Sequence, residues 1–318
     1  MRQACAARRV LGTALLLGAL LLAPGPPARA GSHPSAQAGS LRSCDQPLTL
    51  SAAQQDTLFR FSALIKAELE ASGQRLALVS RSGLDLSRFQ QRYSHAGISL
   101  QASANTPWSV RQLYYACDEG RPRLYDQGLA GFVSGTDDAM LGYVSVLLLP
   151  PGDAAALERV ALDNAQALQL LGAAYSANAH AFSTLYQNCN QWLVELLALA
   201  WGAAADQAEG PARPRAQRWL QDQGYAATRI DVGSRLWLWL GAMLPWLHSD
   251  DHPPEDLARL SLQVSMPASI EAFVQARVPG AQRIEFCHRG PQVVVHRGWS
   301  PIAEGCQPGP GDAVITLD

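Results

Sequence analysis

The chain has 318 residues, a formal net charge of −2 at pH 7 and only 16% charged residues. It contains no basic run and no block of like charge, which argues against nucleic acid as a partner. Its length allows a sizeable hydrophobic core arranged in one or two domains.

The N-terminal segment, residues 1–30, has the pattern of a secretory signal peptide. A basic start that includes Arg8 and Arg9 precedes an apolar run at residues 11–23, and a small-x-small sequence ends at Ala30. The run is short for a bilayer core of about 30 Å. We therefore expect cleavage after Ala30 and a periplasmic or secreted protein, with an uncleaved anchor as the alternative. Residues 31–48 predict a linker.

The rest of the chain predicts a mixture of helices and strands. Apolar residues at helical spacing, a cap near Ser51 and a stop at Gly73 predict a first helix. A second helix is predicted from a cap at Asp153 to residue 172. The strand patterns are RLALVSRSG, YSHAGISLQ, WSVRQLYYAC and AMLGYVSVLLLP, followed near the C-terminus by RIEFC, QVVVHR and DAVITLD.

The cysteine count points to one unpaired thiol. Five cysteines follow residue 30, an odd number, and cysteines of exported proteins tend to pair. Four of them allow three pairings, among which sequence does not choose. We favour Cys287–Cys306 and Cys44–Cys117, which leaves Cys189 free.

Cys189 begins a helical pattern in the stretch LYQNCNQWLVELL. The positive end of a helix and its free N–H groups stabilise a thiolate and can bind an oxyanion. The neighbouring Gln187, Asn188 and Asn190 add polar groups, and Gln187 in particular is expected to help bind an oxyanion. Taken alone, however, such a cysteine is more often an inert buried residue.

His95 is the favoured partner of that thiol. It begins a short strand, on the same face as Gly97, which leaves room beside it. A lone histidine is more often structural, but a base near a free cysteine is what nucleophilic catalysis requires. His180, nine residues before Cys189, is the outside candidate for the base.

The stretches YSHAGI and YQNCNQWL resemble the NlpC-type papain-like cysteine hydrolases in their circularly permuted form, in which the histidine strand precedes the cysteine helix. From about residue 45 onward, the order of YSHAG, QGL, QNCNQW and RGW also resembles a bacterial family known as domain of unknown function 2145. The resemblance implies an α+β, papain-like fold with an antiparallel sheet packed on helices. It implies one domain at residues 49–318, with a core at 49–205 and a helical and β extension at 206–318.

The resemblance also implies catalytic roles, with Cys189 as nucleophile and His95 as general base. Permuted members carry a third polar residue on the strand after the histidine strand, often another histidine, and this chain has none there. Gln112 and Arg111 are the candidates on that strand and point to opposite faces; we favour Gln112, since an amide can accept from the imidazole N–H.

Two other segments attract attention. His248 and His252 flank two aspartates in HSDDHPP, but Pro253 and Pro254 end any helix there, so a solvated turn is favoured over a metal site. No metal and no other cofactor is expected. The segment 237–246 is rich in tryptophan; burial in the core is favoured, and a lid or contact with a membrane surface is the alternative.

We therefore expect an exported cysteine hydrolase or acyltransferase that acts on an amide or (thio)ester bond. Its substrate would be a small molecule, a peptide (cell-wall peptides being the natural analogy) or a lipid. The alternative is a catalytically inactive binding module on the same fold. A metal-dependent protein built on His248 and His252 ranks last.

Overall fold

The computed structural model describes residues 49–202 and 210–317. The expected signal peptide (1–30), its cleavage site after Ala30 and the linker (31–48) lie outside the described residues. The helices in the described ranges are α1 (Ala52–Ala71), α2 (Leu129–Val133), α3 (Pro151–Leu162), α4 (Asn164–Gln169), α5 (Cys189–Trp201), α6 (Ala212–Asp222), α7 (Arg235–Gly241), α8 (Pro254–Arg259) and α9 (Pro267–Arg277).

The strands form one large sheet and one small one. They are β1 (Leu76–Arg81), β2 (His95–Leu100), β3 (Ser109–Ala116), β4 (Arg121–Gln127), β5 (Leu141–Leu148), β6 (Thr228–Asp231), β7 (Ser261–Val264), β8 (Gln282–Arg289), β9 (Gln292–Arg297) and β10 (Ala313–Thr316). The large sheet has the order β10-β9-β8-β5-β1-β2-β3-β4, and all its pairs are antiparallel. Strands β6 and β7 pair separately.

The sheet joins the two parts that the sequence suggested as a core and an extension. Strand β8 pairs with β5 over the whole length of both strands, for example Val144 with Phe286. Because β8, β9 and β10 continue the same sheet, the C-terminal strands are part of one α+β layer structure. An antiparallel sheet packed with helices, the coarse fold expected from the sequence, is confirmed.

Alternation along β1 assigns a different set of helices to each face of the sheet. Leu76 and Leu78 belong to a core cluster with α3, α5, α6 and α9, whereas Ala77 and Val79 belong to a second cluster with α1 and α2. A sheet covered on both faces explains why all six residues of β1 are buried.

Helix α5 is the central helix of the first cluster. Asn188 is its N-cap, and the Asn188 side chain accepts a hydrogen bond from the Gln191 N–H at 2.7 Å. Eleven of its thirteen residues are buried, so the helix is enclosed on nearly all sides and packs against α3, α6, β2 and β3. This burial holds Cys189 in a fixed position.

The long helix predicted from Asp153 is two helices. Pro150 is the N-cap of α3, with Pro151 in its first turn, so the predicted cap at Asp153 is wrong. Asp163 ends α3 in an extended conformation, and its carboxylate accepts from the N–H groups of Ala165 and Gln166. An aspartate that caps a following helix interrupts the pattern that periodicity alone would continue.

The expectation that the tryptophan-rich segment is core is wrong for two of its three tryptophans. Trp237 and Trp239 are 52% and 61% exposed, whereas Trp246 is partly buried against the main core. Helix α7 lies at the surface with no fully buried residue. Across residues 49–202 and 210–317, no helix has the length and apolar character needed to cross a membrane.

Candidate active site

Cys189 is the first residue of α5 and is buried, with 4% of its surface exposed. It is the free cysteine of the described residues. Cys287 and Cys306 form a disulfide. Cys117 is also disulfide-bonded, and its expected partner Cys44 lies outside the described residues.

Burial controls the protonation of the Cys189 thiol. It raises the pKa of Cys189 to about 12, although backbone N–H groups of Asn190, Cys189 and Ala96 and the charge of Arg81 act in the opposite direction. The helix terminus therefore does not produce a resting thiolate, contrary to the expectation from sequence. The three N–H groups that point toward the sulfur are, however, donors that an oxyanion could use.

His95 is buried at the start of β2 and is held by a chain of two amides. Its Nε2 lies 2.8 Å from Oε1 of Gln112, and Nε2 of Gln112 donates to Oε1 of Gln127 at 2.6 Å. Because the second bond makes Oε1 of Gln112 the acceptor, the neutral His95 ring carries its proton on Nε2. The free acceptor of the ring is then Nδ1.

Gln112 rather than Arg111 is thus the residue that contacts His95. Arg111 forms a two-point ion pair with Asp126, with both N···O distances 2.7 Å. The alternation predicted along this strand accounts for the difference.

The imidazole is neutral in this environment. Burial, followed by the nearby charge of Arg81, lowers the pKa of His95 to about 3, and the hydrogen bond to Gln112 only partly offsets these effects. At rest the site therefore combines a neutral thiol with a neutral imidazole.

Gly97 allows β3 to approach β2 closely enough for the His95–Gln112 contact. A Cβ at residue 97 would lie 2.6 Å from Cγ1 of Val110, 2.9 Å from the Arg111 carbonyl oxygen and 3.2 Å from Cβ of Gln112. Distances below 3.0 Å require one of the strands to move. The room that the sequence predicted at Gly97 is therefore filled by β3.

The thiol and the imidazole lie toward opposite faces of the sheet at β2. The His95 ring lies 4.7 Å from the Tyr114 ring and 6.0 Å from the Phe132 ring, on the α2 side. Ala96, the next residue, belongs with Cys189 to the core cluster beneath α5. In the described chain no hydrogen bond joins the Cys189 thiol to His95.

The first three residues of β2 are not paired in register with β3. Pairing of β2 with β3 begins only at Ile98, opposite Arg111, so the segment from His95 to Gly97 is unpaired on its β3 side. Catalytic contacts are often loose before substrate binds, so the absence of a hydrogen bond between the described Cys189 and His95 side chains does not decide against the pair.

Arg81 is a site residue that no local sequence pattern indicates. It is 4% exposed, and its partners are neutral: the carbonyls of Ser82 and Gly135 and, at 2.9 Å, the Tyr114 hydroxyl. Its Nε is buried without a partner, and within the described chain it makes no ion pair. A Cβ on Gly135 would lie 2.6 Å from Nη2, so a glycine is needed beside the guanidinium.

This unpaired cation lowers the pKa of both Cys189 and His95. A buried positive charge without a carboxylate is costly to the fold, and an anion that forms nearby would compensate it. A sequence does not show whether an arginine in a strand has a carboxylate partner. Only the structure therefore identifies Arg81 as an unpaired charge.

The residues beside Cys189 have structural roles. The Gln187 amide donates to the Leu170 carbonyl at 2.8 Å and to Glu195 at 2.7 Å, so both of its N–H groups are used and the expectation that it binds an oxyanion is wrong. Asn188 caps α5. Asn190 donates to the Ser94 carbonyl at 3.2 Å, and its Oδ1 is buried without a partner.

Of the other histidines, His248 lines an apolar groove that also reaches Cys189, whereas His180 and His252 contact each other. His180 contacts the His252 ring at 5.4 Å, and its backbone N–H donates to Asp251. His248 stacks on Tyr186. Clusters of three or more metal-ligating side chains do not occur in the part of the chain that the structure describes.

An apolar groove of about 440 Å³ reaches Cys189. Ser94, Cys189 and Asn190 line it together, and most of the remaining lining comes from β6, α7, the segment after α7 and β7. His95 is not part of the lining, so Cys189 is the member of the pair that faces a ligand.

A buried free thiol and an amide-held imidazole on a two-sided antiparallel sheet define an α+β protein with a candidate cysteine–histidine site. The chain belongs to the family described as uncharacterised protein conserved in bacteria, domain of unknown function 2145, whose model matches residues 68–274. That range contains Arg81, His95, Gln112 and Cys189. No curated protein and no solved structure matches the chain.

Proposed function

We propose that this protein is an exported cysteine hydrolase or acyltransferase that acts on an amide or (thio)ester bond, on a permuted papain-like fold. The observation that carries the proposal is the His95–Gln112 hydrogen bond, together with a free, buried thiol at the start of α5. Gln112 fixes the tautomer that leaves Nδ1 free to accept the Cys189 proton, which is the function of the third member of a catalytic triad.

The reaction would proceed in two acyl-transfer steps. His95 Nδ1 takes the thiol proton as sulfur attacks the carbonyl carbon, and the carbonyl π electrons move to oxygen. The backbone N–H groups of Cys189, Asn190 and Ala96 and the charge of Arg81 would stabilise that oxyanion. Its collapse breaks the bond to the leaving group, which takes the proton from His95.

The second step regenerates the free Cys189 thiol. Water, or an alcohol or amine acceptor in a transferase, loses its proton to His95 and attacks the thioester carbonyl on Cys189. The C–S bond breaks, the sulfur recovers the proton, and an acid, ester or amide leaves. Because both groups are neutral at rest, proton transfer would accompany attack and would not precede it.

Export is part of the proposal and rests on the signal-peptide pattern of residues 1–30 together with the Cys287–Cys306 disulfide. A periplasmic or secreted location follows. The near-zero net charge supports a small-molecule, peptide or lipid substrate rather than nucleic acid.

A second candidate, a binding module without turnover, is favoured by one observation. Burial raises the pKa of Cys189 to about 12 and lowers that of His95 to about 3, and no hydrogen bond joins them in the described structure. Such a module would hold a ligand in the groove without attacking it.

Hydrolysis of a panel of short thioesters, esters and amides by the mature protein separates the two candidates. The enzyme proposal predicts turnover that Cys189→Ala abolishes and His95→Ala lowers by about 10²-fold or more. Gly152→Ala, on the open surface of α3, is the control. Turnover that survives Cys189→Ala would refute the role of the thiol, and absence of turnover on every substrate class would favour the binding module.

A further inference from the structure

We infer that the groove beside Cys189 binds a long-chain acyl group, taken from a lipid surface on which α7 docks. The inference rests on the proposed function, because it names the substrate class of the same site. Its evidence is the lining of the groove and the exposure of α7.

The groove matches hydrocarbon and not a peptide. Its volume of about 440 Å³ falls within the ~300–1,000 Å³ of small-molecule sites. Of its lining side chains, Arg88 alone is an arginine, lysine, aspartate or glutamate. A peptide would leave its amide groups unpaired in such a lining, at a cost of about 1–3 kcal/mol each, whereas each buried methylene contributes about 0.8 kcal/mol.

Three polar groups of the lining, Ser94, Cys189 and Asn190, lie together where the reacting end of a substrate would be. Arg88, Asn178, His248 and Ser249 also line the groove. Asn190 donates to the carbonyl of Ser94, and both lie beside Cys189. The buried, unpartnered Oδ1 of Asn190 is an acceptor available to a ligand N–H or O–H. An acyl carbonyl at Cys189 would place its chain along the apolar side chains of β6, β7 and α7, and a leaving group with an N–H or O–H beside Oδ1 of Asn190.

Helix α7 has one side on the groove and another in solvent. Leu238 and Leu240 line the groove. Leu236 and Trp239 on α7, and Met243 just after it, do not line the groove, and they are 61%, 61% and 67% exposed. Apolar side chains exposed together mark an interaction surface, and tryptophan favours the boundary between lipid and water. The exposed side of α7 adjoins the groove. An acyl chain that leaves a lipid membrane therefore needs to cross only α7 to enter the groove.

Gly241 offers a way to block the groove without disturbing the fold. It lines the groove, and a Cβ there would meet only Cδ1 of Leu247 at 3.6 Å, an ordinary contact. Gly152 on α3 is the matched control, because a Cβ there meets nothing within 4 Å.

The test measures binding of the fluorescent fatty acid cis-parinaric acid to the mature chain. Saturable binding is expected for the wild type, for Cys189→Ala and for Gly152→Phe. For Gly241→Phe the affinity is expected to fall by about tenfold or more. Because Cys189→Ala binds without reacting, failure of catalysis leaves this result intact. No saturable binding, or equal binding by both phenylalanine variants, would overturn the acyl groove.

A second measurement examines the lipid surface by co-sedimentation with phosphatidylethanolamine–phosphatidylglycerol vesicles. Paired Trp239→Ser and Met243→Ser substitutions are expected to abolish co-sedimentation and to leave parinaric acid binding unchanged, since neither residue lines the groove. Co-sedimentation equal to that of the wild type would refute docking through α7. Hydrolysis of short thioesters with no binding of the fatty acid would refute the groove and retain the proposed function.

Discussion

The His95 imidazole and the Gln112 amide are joined by a hydrogen bond of 2.8 Å between Nε2 and Oε1, and Gln127 fixes the orientation of that amide. An amide thus occupies the position that orients the base. It cannot become negatively charged, so it fixes the tautomer of His95 without raising its pKa as strongly as a carboxylate would.

Gln112→Leu is expected to lower kcat by about 10–10²-fold with little change in KM, because the ring loses its orientation while the groove stays intact. Gln112→Glu keeps an acceptor and adds a negative charge, which raises the pKa of His95. Since the base works above its pKa, the acid limb of the kcat–pH profile should move to higher pH. An unchanged kcat in Gln112→Leu would exclude an orienting role.

Gly97→Ala is expected to separate β3 from β2, because the new Cβ would lie 2.6 Å from Cγ1 of Val110. The predicted cost is about 1–3 kcal/mol of unfolding free energy, together with loss of the hydrogen-bonded His95 N–H signal in the proton NMR spectrum. Gly152→Ala, where space is open, should change neither. A Gly97→Ala protein with wild-type stability and an intact His95 signal would show that the close approach is not needed.

Arg81→Met tests the unpaired buried charge. Because its partners are neutral, we expect unfolding free energy to change by no more than about 1–2 kcal/mol, while kcat/KM falls by about 10²-fold as oxyanion stabilisation is lost. Arg81→Lys keeps the charge and should recover part of the activity. If Arg81→Met unfolds easily and the folded fraction is fully active, the arginine is structural.

The pH dependence of Cys189 alkylation tests the burial of the thiol. The thiolate is the form that reacts with iodoacetamide. The pKa of Cys189 is about 12 in the folded protein and about 8.5 in the unfolded chain, so between about pH 8.5 and 12 the folded protein is alkylated more slowly. Iodoacetamide labelling followed by mass spectrometry should therefore rise with pH without a plateau below about pH 10, whereas the urea-unfolded chain reaches one near its own pKa. A plateau below about pH 8 in the folded protein would indicate a resting thiolate.

Local patterns predicted most strands of the large sheet, and the family resemblance indicated β3 as the strand that carries the partner of His95. Period-two alternation alone separated Gln112 from Arg111, and the helical spacing after Cys189 placed the thiol at the start of α5. These features depend on neighbours in sequence, which a single sequence displays.

The parts that sequence missed depend on contacts between distant segments. The roles of Arg81 and Gln127 follow from the pairing of strands, and that of Gln187 follows from its bonds to the loop at Leu170 and Gly172. The groove needs β6, α7 and β7 together around Cys189. The expectation of a stabilised thiolate was wrong because the helix start, with its free N–H groups, is visible in sequence, whereas the depth of burial that keeps the thiol neutral is not.

The central claim is that Cys189 attacks a carbonyl with His95 as its base. Intact-protein mass spectrometry after rapid mixing with a thioester tests this most directly, since it detects the acyl group on the protein. The account predicts one acyl group on Cys189 in the wild type, none in Cys189→Ala, and a rate of acylation lowered by about 10²-fold in His95→Ala. An acyl group on another residue, or acylation of Cys189 at the same rate without His95, would contradict it.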